Sequence, residues 1–170
     1  TDEGRTRGRS LLNKGKGKGL RWNWEGKEKS VGQKVAMLEK AIQRDPNFVL
    51  AYFELAKTQV DLSHLAEFHD QLKRLELAKN AAEAAVRLRP DLGEAHLELA
   101  RYYFEAGVFT KDYSRAREEL TIVRRKLPNN AEALVIEAMI GRHENRWDTS
   151  LANLQRASEL DPGNGDVALH

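Results

Sequence analysis

Residues 86–101 read VRLRPDLGEAHLELAR, a helical run halted at Pro90 and a second run that restarts at Gly93. Proline cannot continue the helical hydrogen-bond ladder, so it marks where a helix ends. The same punctuation recurs as IQRDPNF around Pro46, VRRKLPNN around Pro128 and SELDPGN around Pro162. These are the four prolines of the 170-residue chain, and they stand 44, 38 and 34 residues apart. A spacing of 34 is the period of a helix–turn–helix repeat, and the longer intervals read as the same unit with ten and four extra residues.

The segments that follow the prolines can be set in register: VLAYFELAK (49–57), GEAHLELAR (93–101) and AEALVIEAM (131–139). Alanine then recurs at the third position (Ala51, Ala95, Ala133) and at the eighth (Ala56, Ala100, Ala138). Twelve residues before the closing prolines stand Ala78, Ala116 and Ser150, and five before stand Ala41, Ala85, Val123 and Ala157. Small side chains at fixed places on two antiparallel helices let the axes approach closely, while Leu55, Leu99, Leu120 and Leu154 fill between them.

This pattern resembles the tetratricopeptide repeat (TPR). The matching residues are Tyr52, Leu55, Ala56, Ala78, Ala85 and Pro90 in one unit. In the next they are Leu99, Ala100, Tyr103, Tyr113, Ala116, Leu120 and Pro128, and in the last Leu134, Ala138, Trp147, Leu154, Ala157 and Pro162. The resemblance implies an all-α fold, a right-handed α-solenoid of antiparallel helix pairs with about four repeats. Residues 1–46 form a degenerate first repeat in this frame, with a clear second helix in QKVAMLEKAIQRDP. Residues 47–90, 91–128 and 129–162 are the full repeats, and 163–170 start a truncated next helix. In texture the chain is also similar to TPR segments appended to bacterial signalling proteins, and Thr1 and His170 have the look of cut ends. A scaffold or regulatory part of a larger protein is therefore expected.

Helices are expected near 7–17, 28–44, 48–61, 70–88, 92–106, 112–126, 130–143 and 147–160. Asn47, Asp91, Asn130 and Asp112 are candidate N-caps, because their short polar side chains can accept from the free N–H groups of a first turn. The amphipathic insertion at 61–77 is expected to lengthen the second helix of its repeat toward about 18 residues. VFTK at 108–111 is expected to form a longer turn with Phe109 exposed.

On each first helix the second, fifth, ninth and twelfth positions form a stripe, being spaced 3, 4 and 3 residues apart. The TPR resemblance implies that this stripe lines the concave surface and binds a protein or peptide. It holds Leu50, Phe53, Lys57 and Val60; then Glu94, Leu97, Arg101 and Phe104; then Glu132, Val135, Met139 and Arg142. The sixth positions add Glu54 and Glu98. The competing reading is that the apolar members pack against the adjacent first helix. A carboxylate clamp like that of chaperone-binding TPR domains is incomplete, since Lys57 and Arg101 are present without an Asn and Glu54, Glu94 and Glu98 lie close by. That acidic fringe favours a partner segment of some basic character.

Composition excludes several chemistries. Zero cysteines rule out disulfides, thiol catalysis and Cys-ligated zinc, and leave the compartment open, with the cytoplasm favoured over the periplasm. No stretch approaches the ~20 apolar residues of a membrane span. Residues 1–34 carry ten Lys/Arg against four Asp/Glu and seven of the twelve glycines, while the remainder carries 18 against 22. NKGKGKGL at 13–20 fails as a phosphate loop, because Leu20 stands where a hydroxyl is needed and no strand precedes it. Arg5, Arg7, Arg9, Lys14, Lys16, Lys18 and Arg21 near Trp22 and Trp24 could meet nucleic acid. The preferred reading makes this stretch the first helix of the degenerate repeat, with Leu11, Leu12, Leu20 and the tryptophans in its core.

Among the histidines, His64 and His69 are five apart and do not share a helical face, and His96 falls at a packed position. HENRW at 143–147 lacks the second histidine of a zinc protease. Neither an enzyme nor a cofactor or metal is expected. Glu137 stands where the repeat expects Leu, followed by Gly141 where a large residue is usual. Either this end of the solenoid is loosely packed, or Glu137 reaches an arginine such as Arg142 or Arg146, or Glu137 and the space at Gly141 form a binding notch. An alternative to groove binding is a homodimer through an apolar last-repeat face around Leu151, Leu154 and Ala157.

Overall fold

The computed structural model describes residues 18–162, with side chains described from Ser30 onward except that of Phe68. Among these residues there are seven helices and no strand. They are α1 (Lys18–Arg44), α2 (Val49–Ser63), α3 (Phe68–Leu88), α4 (Gly93–Thr110), α5 (Ser114–Lys126), α6 (Ala131–His143) and α7 (Trp147–Leu160). Each packs on the next in sequence; in addition α2 packs on α4, and α4 on α6. The chain is thus an α-helical repeat solenoid in which α2, α4 and α6 stack as one layer, backed by α3, α5 and α7.

The alanine register explains the closeness of the pairs. Ala56, Ala100 and Ala138 are fully buried, as are Ala78, Ala85, Ala116, Val123 and Ala157. Ser150, in the place of an alanine, is buried by donating its hydroxyl to the Ala138 carbonyl at 2.7 Å, a bond that offsets the loss of solvation. Leu99, Leu120 and Leu154 fill between the helices as expected, and Leu55 packs from the edge of the core. At Gly107 α4 approaches α5 so closely that a Cβ would lie 2.6 Å from the Tyr113 ring and 2.7 Å from the Asp112 carbonyl.

Several local expectations are corrected. The helix expected from residue 28 begins at Lys18 and runs unbroken for 27 residues, about 40 Å. Leu20, Trp22 and Trp24 therefore belong to the same helix as residues 28–44 and not to a separate first helix; the helix expected at 7–17 lies outside the described residues. The ten-residue insertion makes α3 21 residues long, beginning at Phe68. VFTK is not a turn: α4 continues to Thr110 and is closed by Lys111 with φ of 60°, its N–H donating to the Gly107 carbonyl.

Of the four candidate caps only Asn130 caps its helix, accepting from the Ala133 N–H at 2.8 Å. Asn47 instead donates its N–H to Asp45, and Asp91 accepts from Arg89. Asp112 accepts from the Ser114 N–H at 2.9 Å from one residue further out, because Tyr113 holds the cap position with its ring in the core.

Candidate functional site

A cavity of about 450 Å³ opens on the stacked layer. α2 contributes Thr58, Asp61 and Leu62 to its wall, α4 contributes Arg101, Phe104 and Glu105, and α6 contributes Glu132, Val135 and Met139. Val31 and Lys34 of α1 close one side, and His64 and Leu65 after α2 another. The three first helices can share one cavity because the small residues at positions three and eight keep their axes close.

The structure divides the expected stripe. Arg101, Phe104, Glu132, Val135 and Met139 line the cavity. Leu97, Phe104 and Val135 are buried in the core clusters, and Val60 is fully buried, so much of the expected apolar floor is packing between neighbouring helices. Leu50 is exposed, and Phe53, Glu54, Lys57, Glu94 and Arg142 are partly exposed outside the cavity wall. Glu54 is held by Lys34 at 2.8 Å, tying α2 to α1. Asp61, His64 and Glu105 are additions that the stripe does not contain. Carrying it one turn further, from Lys57 to Asp61 and from Arg101 to Glu105, finds two of them, since residues four apart share a helix face.

The electrostatics centre on Arg101. It donates to Asp61 at 2.8 Å and forms ion pairs with Glu132 at 3.5 Å and Glu98 at 3.8 Å. Burial works against its charge, but Glu132, Glu98 and Asp61 more than offset this and hold the guanidinium above its ordinary value. Glu98 is 1% exposed, and burial raises its carboxyl to about 8; Arg101 and Lys57 oppose the rise, while Glu132 and Asp61 add to it. Among the described residues three buried side-chain polar atoms lack a hydrogen-bond partner: Glu98 Oε2, Arg101 Nη1 and Tyr113 Oη. Tyr113 stacks on Phe104 with centroids 6.0 Å apart, so it supports the cavity floor from behind. At the rim His64 sits 2.9 Å from Glu105, a hydrogen bond that raises the imidazole above its usual value.

The remaining candidates resolve simply. His96 is packed, with one ring nitrogen 2.7 Å from Glu119 and the other 3.0 Å from the Pro90 carbonyl, joining the α3–α4 turn to α5. Among the described residues no group of three His, Cys, Asp or Glu comes together as a metal cage. Glu137 is paired with Arg124 of α5, and not with Arg142 or Arg146; Asn153 lies 3.5 Å from its other oxygen. The notch is a separate cavity of about 170 Å³ with Arg117, Arg124, Arg146 and Glu137 in its wall. Gly141 is not part of it, because Ser150 of α7 packs against that glycine, 3.4 Å from where a Cβ would stand. On α7, Leu154 and Ala157 are buried, which corrects the expected dimer face; Trp147 and Leu151 are its exposed large apolar residues. The basic residues 1–17 lie outside the described residues.

Family models described as tetratricopeptide repeats match residues 62–92 and 108–165, together just over half of the chain. The chain belongs to the tetratricopeptide repeat family. Solved TPR structures share the fold. A thermophilic TPR protein of Thermus thermophilus superposes with a TM-score of 0.68 at 22% identity, over 84% of this chain and 72% of that one. MamA of MSR-1 superposes with a TM-score of 0.54 at 18% identity, over 80% and 70%. No curated protein matches the sequence. TPR solenoids are in general non-enzymatic scaffolds, and the coarse function of this TPR chain is that of a protein–protein interaction scaffold. Among the described residues no helix is long and apolar enough to cross a membrane.

Proposed function

We propose that this TPR module takes a segment of a partner protein along the concave side of α2, α4 and α6, as a scaffold or regulatory part of a larger protein. The observation that carries the reading is the single cavity walled by three successive first helices. A solenoid buries its core between repeats and leaves such a surface for partners. The frame of repeats 47–90, 91–128 and 129–162 supports it, since it places one first helix of each repeat on that side. Leu50, Phe53, Lys57 and Glu94 extend the surface beyond the cavity.

The test is affinity mapping with short peptide segments selected from a random display library. Met139→Glu and Phe53→Ala are expected to weaken the selected segments at least tenfold, and Leu151→Ser on α7 to leave them unchanged. Groove variants that bind as wild type, with the loss falling on α7, would refute concave binding. A second reading, self-association, is favoured by Trp147 and Leu151, which are 60% and 59% exposed one turn apart on α7. Sedimentation equilibrium at rising concentration decides it: a dimer that Trp147→Ser and Leu151→Ser abolish supports self-association, and a monomer throughout excludes it.

A further inference from the structure

Beside the cavity three carboxylates meet two bases, so the third carboxylate is balanced by a proton and not by a base. Three carboxylates from three helices converge on Arg101: Asp61 of α2 and Glu132 of α6, which line the cavity with it, and Glu98 of α4, buried behind them. Two bases face them, Arg101 in the cavity wall and Lys57 acting on Glu98 from α2. Elsewhere near the cavity Lys34 is paired with Glu54, and His64 is hydrogen-bonded to Glu105. Within the cluster Glu98 Oε2 and Arg101 Nη1 are both buried and face each other at 3.8 Å, too far for a hydrogen bond, and neither has a hydrogen-bond partner elsewhere. Buried polar atoms in folded proteins are almost always paired. Of the two, Glu98 Oε2 is an acceptor beside the 450 Å³ opening that a donor from outside can complete, whereas Arg101 Nη1 is itself a donor and calls for no cation.

We propose that this cavity is a socket for one guanidinium side chain of the bound segment, received by Asp61 and Glu132. The proposal rests on the concave-face reading above and names the chemistry of its partner. A guanidinium suits the site for two physical reasons. Its planar fork of donors can reach carboxylates on different helices at once, and it is more weakly hydrated than an ammonium, so entering a half-enclosed space removes less solvation. Val135 and Met139 in the wall give its methylenes an apolar surface.

Glu98 gives the socket a recognisable signature. With its carboxyl raised to about 8 by burial, it holds a proton at neutral pH while the cavity is empty. A cation arriving beside Asp61 and Glu132 favours the ionised form of Glu98 and removes part of the repulsion that those two carboxylates exert on it. The guest's charge then takes the place of the proton, which leaves to solvent.

The test titrates the 15N-labelled protein with N-acetyl-arginine N-methylamide and, in parallel, with the citrulline isostere, which keeps the shape and loses the charge. Saturating shifts at the amides around Asp61, Arg101 and Glu132 are expected with the arginine compound. Binding at least tenfold weaker is expected with citrulline, with the lysine analogue, and for Glu132→Gln, a partly exposed position where the substitution keeps the fold. Calorimetry at pH 7 in two buffers of different protonation enthalpy should show proton release on binding, and Glu98→Gln should bind without it. Equal binding of arginine and citrulline compounds, shifts confined to other faces, or binding by wild type without proton release would overturn the socket; a lysine analogue that binds equally would overturn its assignment to guanidinium. The small probe reads the socket apart from the rest of the groove. Selected segments that map to the concave face yet share no arginine would sink the socket and leave concave binding standing.

Discussion

Glu98 and Glu137 occupy adjacent positions of equivalent helices, the sixth of α4 and the seventh of α6, and both put a carboxylate into the solenoid. Glu137, in the notch between α5, α6 and α7, is 17% exposed and meets Arg124 and Asn153. Glu98, beside the concave cavity, is 1% exposed, and its nearest base stops at 3.8 Å. A one-position shift along the helix separates the two outcomes. The seventh position faces the second-helix layer, where a long arginine can reach in from solvent. The sixth faces the neighbouring first helices, where Arg101 is already drawn to Asp61 and Glu132. Of these two carboxylates, one is thus met by a base from the preceding helix and the other is held protonated by burial.

The largest effect that separates the two regions is expected at Gly107. A side chain there must displace the Tyr113 ring, which supports Phe104 in the cavity floor and lies away from the Glu137 notch. Gly107→Val is expected to destabilise the fold by about 3 kcal/mol, read by urea unfolding, through overpacking of a contact that cannot yield at the Asp112 backbone.

Glu98→Gln acts on the buried carboxyl itself. Native Glu98 binds its proton more tightly than the unfolded chain does, so its contribution to stability falls as pH rises between about 4.5 and about 8. The amide removes that slope: little change is expected at pH 5 and a gain of about 2 kcal/mol at pH 9, since each tenfold difference in proton affinity corresponds to about 1.4 kcal/mol and burial in a real protein relaxes part of it. A flat difference across pH for Glu98→Gln would show that its carboxyl is ionised in the folded protein.

Arg124→Ala tests the opposite mode. Arg124 is 69% exposed, so its loss is expected to cost below about 1 kcal/mol, and the loss should shrink in high salt. The smallest effect is expected at the cavity rim. His64 is raised by its bond to Glu105, so its contribution is present below the unfolded value near 6.5 and is lost as pH rises through the raised native value. His64→Gln should therefore lower the melting temperature slightly at pH 5.5 and leave it unchanged at pH 9.

Much of the fold was legible because a repeat states the same instruction several times. Ala51, Ala95 and Ala133 need no tertiary information once they are in register, and the closing prolines set the frame. The end of α4 escapes such a reading because VFTK interrupts the repeat pattern; Lys111 adopts a left-handed conformation and moves the stop four residues on. The site was legible only in outline. Periodicity assigns Leu97, Phe104 and Val135 to a surface, yet the stacking of first helices buries them, and only contact between repeats distinguishes a floor from a core. Asp61 and Glu105 fall outside the stripe because they stand one residue past its twelfth position, four residues on from its ninth.

Sequence by itself determined the helix pairs, their small-residue seams and the family, since each depends on local spacing and on side-chain size at fixed positions. Tertiary structure decided which charges meet. Arg101 stands 40 residues from Asp61 and 31 from Glu132 in the chain, and only the stacking of α2, α4 and α6 brings its guanidinium within 3.5 Å of both carboxylates. Burial and unequal pairing then separate Glu98 from Glu137, because a carboxylate's state depends on the distance to its nearest base and on access to water, neither of which is written in one helix.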